Sequence, residues 1–348
     1  MAISLSLIFS ACNQPRVIPN SQSNQNTSSP TQSITKESGF IYTADERGNS
    51  ISVVDLAANQ VQKIPIGISP HNIQISQDGR LLLVVGASAM GGEHDDMNGK
   101  LLIFDTEKMN SADAVAEIEI GKHPAHVIID SQGKFIYTTN SEDDTISVVD
   151  AARKKVVKTI STGKFPHGFR MSPDGREIYV ANVNDGTVSV ISTAEQKEIA
   201  RIPVGKTPVQ VGFTPDGKRA YVSLRDENQV AVIDTTTRQK IASVAVGNQP
   251  IQMFATPDGR FVYVANQGTE SQPDNTVSVI ATASNKVVAT ISTGKGAHGV
   301  VANGNRVFVT NNFDDTVSVI DVTAQKVVNT IPVGDAPNGI TFRNAEIQ

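Results

Sequence analysis

The sequence predicts an all-β protein, a seven-bladed β-propeller whose blades are four-stranded antiparallel sheets. The first observation behind this prediction is a unit that recurs every 42 residues, with successive copies that begin at Pro124, Pro166 and Pro208. The second is that each copy contains four short apolar runs separated by turn-forming residues, as expected for four strands, A to D. Because one such unit cannot bury its own apolar face, the units must pack on one another. Radial repetition of four-stranded sheets gives a propeller.

The number of blades follows from the two incomplete ends of the repeat. Complete or nearly complete units begin at six positions: Pro70, Pro124, Pro166, Pro208, Pro250 and Ala297. Residues 39–66 lack strand A, and the segment from Pro337 onward supplies only strand A. Together these two segments make a seventh blade, which joins the two chain ends without a covalent link. The propeller is therefore expected to span residues 39–348.

Turn chemistry and one aromatic position define the strands within a unit. Ser-Pro-Asp-Gly at 172–175 is expected to close the hairpin between strands A and B, because Pro presets the backbone and Gly accepts a positive φ. The acidic turns between strands B and C, such as 141–145, are interpreted as hairpin turns and not as cation sites. All five tyrosines share one register of strand B, which predicts packing between sheets. They are Tyr42, Tyr137, Tyr179, Tyr221 and Tyr263.

The repeat resembles the YVTN-type β-propeller repeat family. The resemblance is carried by the segments FIYTTN at 135–140, EIYVAN at 177–182, FVYVAN at 261–266 and VFVTNN at 307–312, with the Ser-Pro-Asp-Gly turns and the TVSVID-like strands. It covers most of the predicted propeller and implies a secreted or cell-surface protein. At the level of fold alone it is similar to lactonase and nitrous-oxide-reductase propellers. A WD-repeat propeller is excluded because the chain has no Trp.

The first 38 residues predict a membrane anchor followed by a flexible linker. Residues 1–12 form a short apolar run that ends in Cys12 and resembles a bacterial lipobox, the signal in which the Cys is lipidated. The alternative is a disordered leader with an incidental thiol. Residues 13–38 are rich in Asn, Gln, Ser and Thr and have too little apolar surface to fold. These features predict an extracytoplasmic protein, in the periplasm or at the cell surface, tethered to a membrane by a lipid on Cys12.

Charge and cysteine content exclude several classes of function. The formal net charge is −5 with Lys and Arg scattered, which disfavours nucleic-acid binding through phosphate contacts. Cys12 is the only cysteine, so the chain forms no intramolecular disulfide, Cys-based zinc or iron–sulfur site, or CxxCH haem attachment. No G-x-S-x-G, phosphate-loop or H-E-x-x-H motif is found. The sequence thus offers no positive evidence for an enzyme, and we expect a monomer.

Histidines mark the candidate site. Since strand direction alternates within a blade, the D–A junctions and the B–C loops should emerge on the same face, at the mouth of the central channel. Three histidines share the second position of strand A, another lies one position later, and a fifth lies in the long B–C loop 86–99. In that order they are His71, His167 and His298, then His126, then His94. A second long B–C loop, 267–275, lies on the same face, and His123 is expected to be solvated.

Two interpretations of these histidines are open. Imidazoles that converge on the axis could bind a transition metal or an anionic ligand together with Asp95, Asp96 and Met90 or Met97 of the long loop. Thioether ligands would favour copper, and carboxylate ligands zinc, iron or nickel. Alternatively, each His only caps the start of a strand by hydrogen bonding.

The leading functional hypothesis is a non-enzymatic module that binds a protein, polymer or small ligand on this face. The alternative is a metal-dependent lactonase-like hydrolase or lyase, or a copper-binding redox accessory protein.

Overall fold

Seven four-stranded antiparallel sheets form a closed ring, as the repeat predicted. The computed structural model describes residues 38–88, 98–109 and 113–345, which fall in one compact unit, Glu37–Gln348. Its 28 strands are joined by tight turns and two short 3₁₀ segments, Thr106–Lys108 and Arg225–Glu227. Within the described ranges there is no helix long and apolar enough to cross a bilayer.

The strands follow the chain in order from blade 1 to blade 7. The first fifteen are β1 (Phe40–Asp45), β2 (Ser50–Asp55), β3 (Gln60–Pro65), β4 (Ile68–Ile75), β5 (Leu81–Ser88), β6 (Asn98–Asp105), β7 (Ala116–Lys122), β8 (Pro124–Ile129), β9 (Phe135–Asn140), β10 (Thr145–Asp150), β11 (Lys155–Ser161), β12 (Pro166–Met171), β13 (Glu177–Asn182), β14 (Thr187–Ser192) and β15 (Lys197–Pro203). The others are β16 (Pro208–Phe213), β17 (Arg219–Leu224), β18 (Gln229–Asp234), β19 (Gln239–Ala245), β20 (Pro250–Ala255), β21 (Phe261–Gly268), β22 (Pro273–Ala281), β23 (Lys286–Ser292), β24 (Ala297–Asn303), β25 (Arg306–Asn311), β26 (Thr316–Asp321), β27 (Lys326–Pro332) and β28 (Pro337–Arg343).

Blade 1 closes the ring by pairing the two ends of the propeller. Its sheet has the order β28-β1-β2-β3, so strand A comes from the carboxyl-terminal segment. In the β1–β28 ladder, Tyr42 lies opposite Thr341. Two aromatic contacts reinforce the ladder: the Arg343 guanidinium lies 4.4 Å from the centre of the Phe40 ring, and Phe342 stacks on Phe308 at 5.6 Å. The predicted closure is confirmed.

Strand A is the innermost strand of each blade and strand D the outermost. Each strand A packs against the strands A of the two neighbouring blades, which makes them the wall of a central channel. Strands B and C carry the core between the sheets, whereas most strands D are largely exposed and bury a single residue near their end, as β11 does with Ile160. The five tyrosines at the shared register of strand B are at most 1 % exposed, so they pack between blades as expected. Burying each large side chain contributes roughly 1.5–3 kcal/mol.

The A–B turn of blade 4 shows how the Ser-Pro-Asp-Gly motif works. The Ser172 hydroxyl donates to the Asp174 carboxylate at 2.6 Å and accepts from the Glu177 N–H at 3.0 Å. Gly175 has φ 73°, and its N–H donates to the Ser172 carbonyl at 2.8 Å. The positive φ explains why Gly ends the motif, since other residues rarely adopt it.

The acidic B–C turns bond to protein backbone. The carboxylates of Asp143, Asp185 and Asp314 each accept a hydrogen bond from a backbone N–H of a D–A junction, at 2.7–2.8 Å. The acidic residues of the B–C turns therefore connect these turns to the D–A junctions on the same face. This is the turn role that the sequence indicated.

The B–C segment 267–275 is less of a loop than the sequence suggested. Strands β21 and β22 both extend into it, with Gly268 opposite Pro273, which leaves only a short turn at 269–272. Thr269 and Gln272 close this turn with two backbone hydrogen bonds of 3.0 and 3.1 Å. The other long B–C loop, 86–99, is described only at its two ends, where β5 continues to Ser88 and β6 begins at Asn98.

Candidate metal centre and central channel

An irregularity at the start of strand A aims the candidate residues at the axis. In six blades the residue before strand A has a positive φ, as at Phe165 with 56° and Thr207 with 50°. The pairing of strands A and B then shifts register between the first and fourth residues, as between Pro166 and Phe169. A β-bulge of this kind redirects side chains. The second and third residues of strand A consequently lie at the channel.

Three histidines from three consecutive blades meet at the channel mouth: His71, His126 and His167. One ring nitrogen of each lies within 4.8 Å of those of the other two. The Nε2 atoms of His71 and His167 are 3.3 Å apart. The ring centres of His126 and His167 are separated by 5.3 Å and those of His71 and His126 by 6.2 Å. We call these three residues the histidine cluster.

The hydrogen bonds of the Nδ1 atoms of His71 and His167 determine which nitrogen of each ring carries a lone pair. Nδ1 of His71 lies 3.1 Å from a carboxylate oxygen of Glu46, and Nδ1 of His167 lies 3.3 Å from the Val209 carbonyl. Both partners can only accept, so each Nδ1 carries the hydrogen. In the neutral rings, each Nε2 therefore presents a lone pair to the other. Two lone pairs in contact repel unless a proton or a metal cation lies between them.

His126 completes the cluster with a nitrogen that has no protein partner. Its side chain is buried, Nδ1 lies 3.5 Å from the Gln210 amide nitrogen, and Nε2 has no hydrogen-bond partner among the described residues. Buried polar atoms are nearly always satisfied in native proteins. A bound ligand would satisfy this one.

Glu46 supplies the negative charge of the site. It lies in the B–C turn of blade 1, and its second carboxylate oxygen accepts a hydrogen bond from the Asn338 amide. Burial alone would lower the pKa of His71, but the charge of Glu46 and its hydrogen bond more than offset this, so the pKa is raised. Burial opposes ionisation of Glu46, yet His71 holds the pKa of that carboxyl below its usual value. Glu46 is therefore a charged hydrogen-bond partner of the cluster but not a member of it.

Burial keeps the other channel histidines neutral. It lowers the pKa of His126 and His167 well below the usual value, and neighbouring histidines lower it further. Burial and the nearby His71 lower the pKa of His298 to about 4. Neutral imidazole is the form that binds metal ions.

Two other histidines of the described ranges, His298 and His123, do not join the cluster. His298 lies at the channel, and its Nδ1–H donates to the Asn338 carbonyl of the next blade at 3.2 Å. That bond is the strand-capping role that the sequence left open as an alternative. His123 is about half exposed and lies 3.9 Å from Glu142. His94, with Met90, Asp95, Asp96 and Met97, lies outside the described residues.

Sequence reasoning missed two residues that build the site. Glu46 was hidden in an ordinary acidic turn, and the packing of blade 1 against blade 2 brings it to His71. Thr139 is fully buried in strand B of blade 3, accepts from the His126 N–H at 3.0 Å and donates to the His167 carbonyl at 2.8 Å. The sequence did carry a signal for Thr139. At this register of strand B, Ala181 and Ala265 of two other blades have no hydroxyl.

A cavity of about 230 Å³ continues down the channel from His126. The third and fifth residues of the inner strands line it, among them Asn72, Arg170, Gln252 and Phe254. The site therefore has two parts, a histidine cluster at the mouth and a polar chamber beneath it.

The chain is a seven-bladed β-propeller with three histidines gathered at the mouth of its central channel. The chain belongs to the family described as Cytochrome D1 heme domain, whose model matches residues 29–214. The comparison with curated proteins gave no match.

Solved structures with the same fold come from several sources. Hydrazine synthase of Kuenenia stuttgartiensis matches at 20 % identity and TM-score 0.67, covering 80 % of this chain and 96 % of that one. A functionally unknown protein from Desulfotomaculum acetoxidans matches at 19 % identity and TM-score 0.74, covering 89 % and 100 %. The periplasmic gluconolactonase PpgL of Pseudomonas aeruginosa matches at 19 % identity and TM-score 0.71, covering 88 % and 99 %. At these identities the similarity shows the fold alone.

Two cavities lined by described residues do not fit the haem named in the family description. The channel chamber of about 230 Å³ is smaller than the roughly 300 Å³ at which pockets for drug-sized ligands begin, and a tetrapyrrole is large for that class. His126 of the histidine cluster lines this chamber. A wider depression of about 850 Å³ on the opposite face is lined by Ser, Gln, Ile, Asp, Gly, Phe, Arg, Asn and Ala residues, none of which is a usual axial ligand of haem iron.

Proposed function

We propose that this protein binds one divalent transition-metal ion on His71, His126 and His167 and uses it to hydrolyse lactones or related esters. The observation that carries the proposal is the 3.3 Å separation of two Nε2 atoms that both present lone pairs when the two rings are neutral. A tetrahedral ion with metal–nitrogen bonds of about 2.0–2.1 Å separates its ligand atoms by about 3.4 Å. The third nitrogen, within 4.8 Å, would need to shift by roughly 1 Å to complete the set.

The arrangement is that of a catalytic and not a structural metal site. Catalytic sites use three protein ligands and keep a fourth position open. The Nδ1–H groups of His71 and His167 are held by a carboxylate and a carbonyl, the partners that orient histidine ligands elsewhere. An ion at this position would polarise a substrate carbonyl and activate water, which is the chemistry that ester hydrolysis requires.

The lactone substrate class rests on similarity of fold. PpgL bears the name of a gluconolactonase and has the same architecture. Copper would be favoured if Met90 or Met97 contributed a thioether ligand. Zinc or another hydrolytic metal suits the described ligands, all of which are imidazoles.

The second candidate function is a non-catalytic module for a protein, polymer or small ligand. The polar chamber beneath the cluster favours it, because such a chamber can hold a ligand without any reaction. We further propose that the protein works outside the cytoplasm on a lipid anchor at Cys12, as its leader indicates. Cys12→Ser should release it from membranes, and unchanged membrane fractionation would contradict the anchor.

Metal content of purified and metal-loaded protein tests the centre directly. We expect about one Zn(II), Co(II), Ni(II) or Cu(II) per chain, with affinity at least tenfold lower in His71→Ala, His126→Ala and His167→Ala. His298→Ala is the matched control, because that residue has the same register but lies outside the cluster. An ion retained by the three variants, or no ion under any loading condition, would overturn the proposal.

Lactone hydrolysis tests the reaction separately. The loaded protein should hydrolyse glucono-δ-lactone or a related ester faster than the metal-free protein does. Addition of metal should not accelerate hydrolysis by the His167→Ala variant. Stoichiometric metal without hydrolysis of any lactone or ester would favour the binding module instead.

A further inference from the structure

The chamber beneath the histidine cluster is lined by buried amides that have no protein partner. Asn72 and Gln252 are 6 % and 5 % exposed, and both line the cavity. Within the described ranges neither side chain makes a hydrogen bond, in contrast to Gln210, whose Oε1 accepts from the Val211 N–H at 2.9 Å. Since buried polar groups are satisfied by protein, water or ligand, these amides must be satisfied from the chamber itself.

Arg170 brings an uncompensated positive charge to the same chamber. Its guanidinium lies 5.2 Å from the centre of the Phe254 ring. No carboxylate in the described part of the chain lies within ion-pair distance of it. Burial lowers the pKa of Arg170 to about 10, which leaves it protonated at neutral pH. Among the described residues the guanidinium donates no hydrogen bond, so its N–H donors stay available to a ligand.

We propose that the channel is a binding site for a small oxyanion, a carboxylate or phosphate group held by Arg170 and the amides of Asn72 and Gln252. A guanidinium edge matches two oxygens of either group in a bidentate pair. An unpaired, partly buried cation is unfavourable, and an anion reduces that cost. The volume of about 230 Å³ limits the ligand to a few heavy atoms beyond the anionic group.

The ligand has a route that does not cross the histidine cluster. The chamber and the depression of about 850 Å³ on the A–B turn face share Gln74, Ile75, Phe342 and Asn344. An anion can therefore reach Arg170 from the face opposite the metal centre. The anion site goes beyond the proposed hydrolase and does not depend on it.

Binding of inorganic phosphate and of acetate to metal-free protein, by calorimetry at constant ionic strength, tests this site. We expect saturable binding of at least one of the two probes, with affinity at least tenfold lower in Arg170→Met and several-fold lower in Gln252→Met. Arg176→Met, at an exposed arginine of the neighbouring turn, should bind as the parent does. The contrast between phosphate and acetate shows which oxyanion the chamber prefers.

The melting temperature of each variant shows whether a loss of binding comes from unfolding. Arg170→Met replaces an unpaired, partly buried cation by an apolar side chain of similar length, so it should melt at or above the temperature of the parent. Unchanged binding in a folded Arg170→Met variant would overturn the proposal. So would failure of both anions to bind to the parent, which would indicate a channel filled only by water. Because the protein is metal-free, neither result bears on the metal centre.

Discussion

A hydrogen bond of 3.1 Å joins the Glu46 carboxylate to Nδ1 of His71 across the junction between blades 1 and 2. The bond holds the imidazole in the tautomer whose Nε2 faces His167. It also places a carboxylate behind a candidate metal ligand, where it strengthens that ligand's donor character. The position of Glu46 depends on the closure of the ring, because blade 1 contains both chain ends.

Replacing Glu46 by Gln should weaken metal binding about 10- to 100-fold without removing a ligand, because an amide orients and polarises the imidazole less well. Competition with a chromophoric chelator measures the change. Glu142→Gln is the control, since Glu142 lies near His123 and outside the cluster. Equal affinity in Glu46→Gln and the parent would show that the bond does not tune a metal site.

Asp45→Asn should stabilise the protein at neutral pH. Asp45 is fully buried and accepts hydrogen bonds from Thr43, Ser50 and Ser52. Burial raises its pKa to about 6 despite these bonds. Four other blades have Asn at this register, each of which donates to a Thr and a Ser: Asn140, Asn182, Asn266 and Asn311. Asn therefore suits the site without a charge.

The sign of the pH dependence follows from the raised pKa. Folding binds a proton at Asp45 between its unfolded pKa of 3.8 and the folded value of about 6, so this residue lowers stability as pH rises through that window. The gain from Asp45→Asn should reach about 3 kcal/mol at pH 7, from roughly 1.4 kcal/mol per pKa unit, and vanish near pH 4. Urea unfolding at both pH values measures it, with Asn182→Asp as the reverse control. A gain independent of pH would rule out ionisation as its cause.

Two tyrosines of the same register should respond differently to loss of the hydroxyl. Tyr221 donates to Asn285 Oδ1 at 2.8 Å, whereas the hydroxyl of Tyr263 is buried without a partner among the described residues. Tyr221→Phe should lower the free energy of unfolding by about 1 kcal/mol, and Tyr263→Phe should leave it unchanged or raise it. Thermal or urea unfolding of the pair measures both. Equal losses of unfolding free energy in the two variants would contradict the difference in hydrogen bonding between the two hydroxyls.

Truncation after Asp335 should destabilise the whole ring. It removes β28, the innermost strand of blade 1, together with the Arg343–Phe40 and Phe342–Phe308 contacts. We expect a fall in melting temperature of many degrees or loss of cooperative unfolding. Truncation after Ala345, which leaves β28 intact, is the control. An unchanged melting curve for the longer deletion would contradict closure through blade 1.

Much of the architecture could be predicted because it is periodic. The start of strand A at Pro166, the turn at Gly175 and the buried Tyr179 each recur at the same spacing, and each has a local physical reason. The extension of β21 and β22 into 267–275 could not be predicted, because composition does not show whether two polar segments will pair.

Only part of the candidate site was visible in the same way. The histidines stand out by type and register, but register alone does not show which of them meet. His298 shares its register with His71 and His167 and, like His167, bonds to a backbone carbonyl of the next blade, yet it lies outside the cluster.

The sequence by itself determined the repeat, the number of blades, the shared face of the junction histidines and the closure of the ring, because these depend on spacing along the chain. The tertiary structure decided that His126 joins His71 and His167, that Glu46 stands behind His71, and that Arg170 lies unpaired beneath them. These relationships depend on distances between blades. Such distances are set by the radius of the closed ring, which no single repeat encodes.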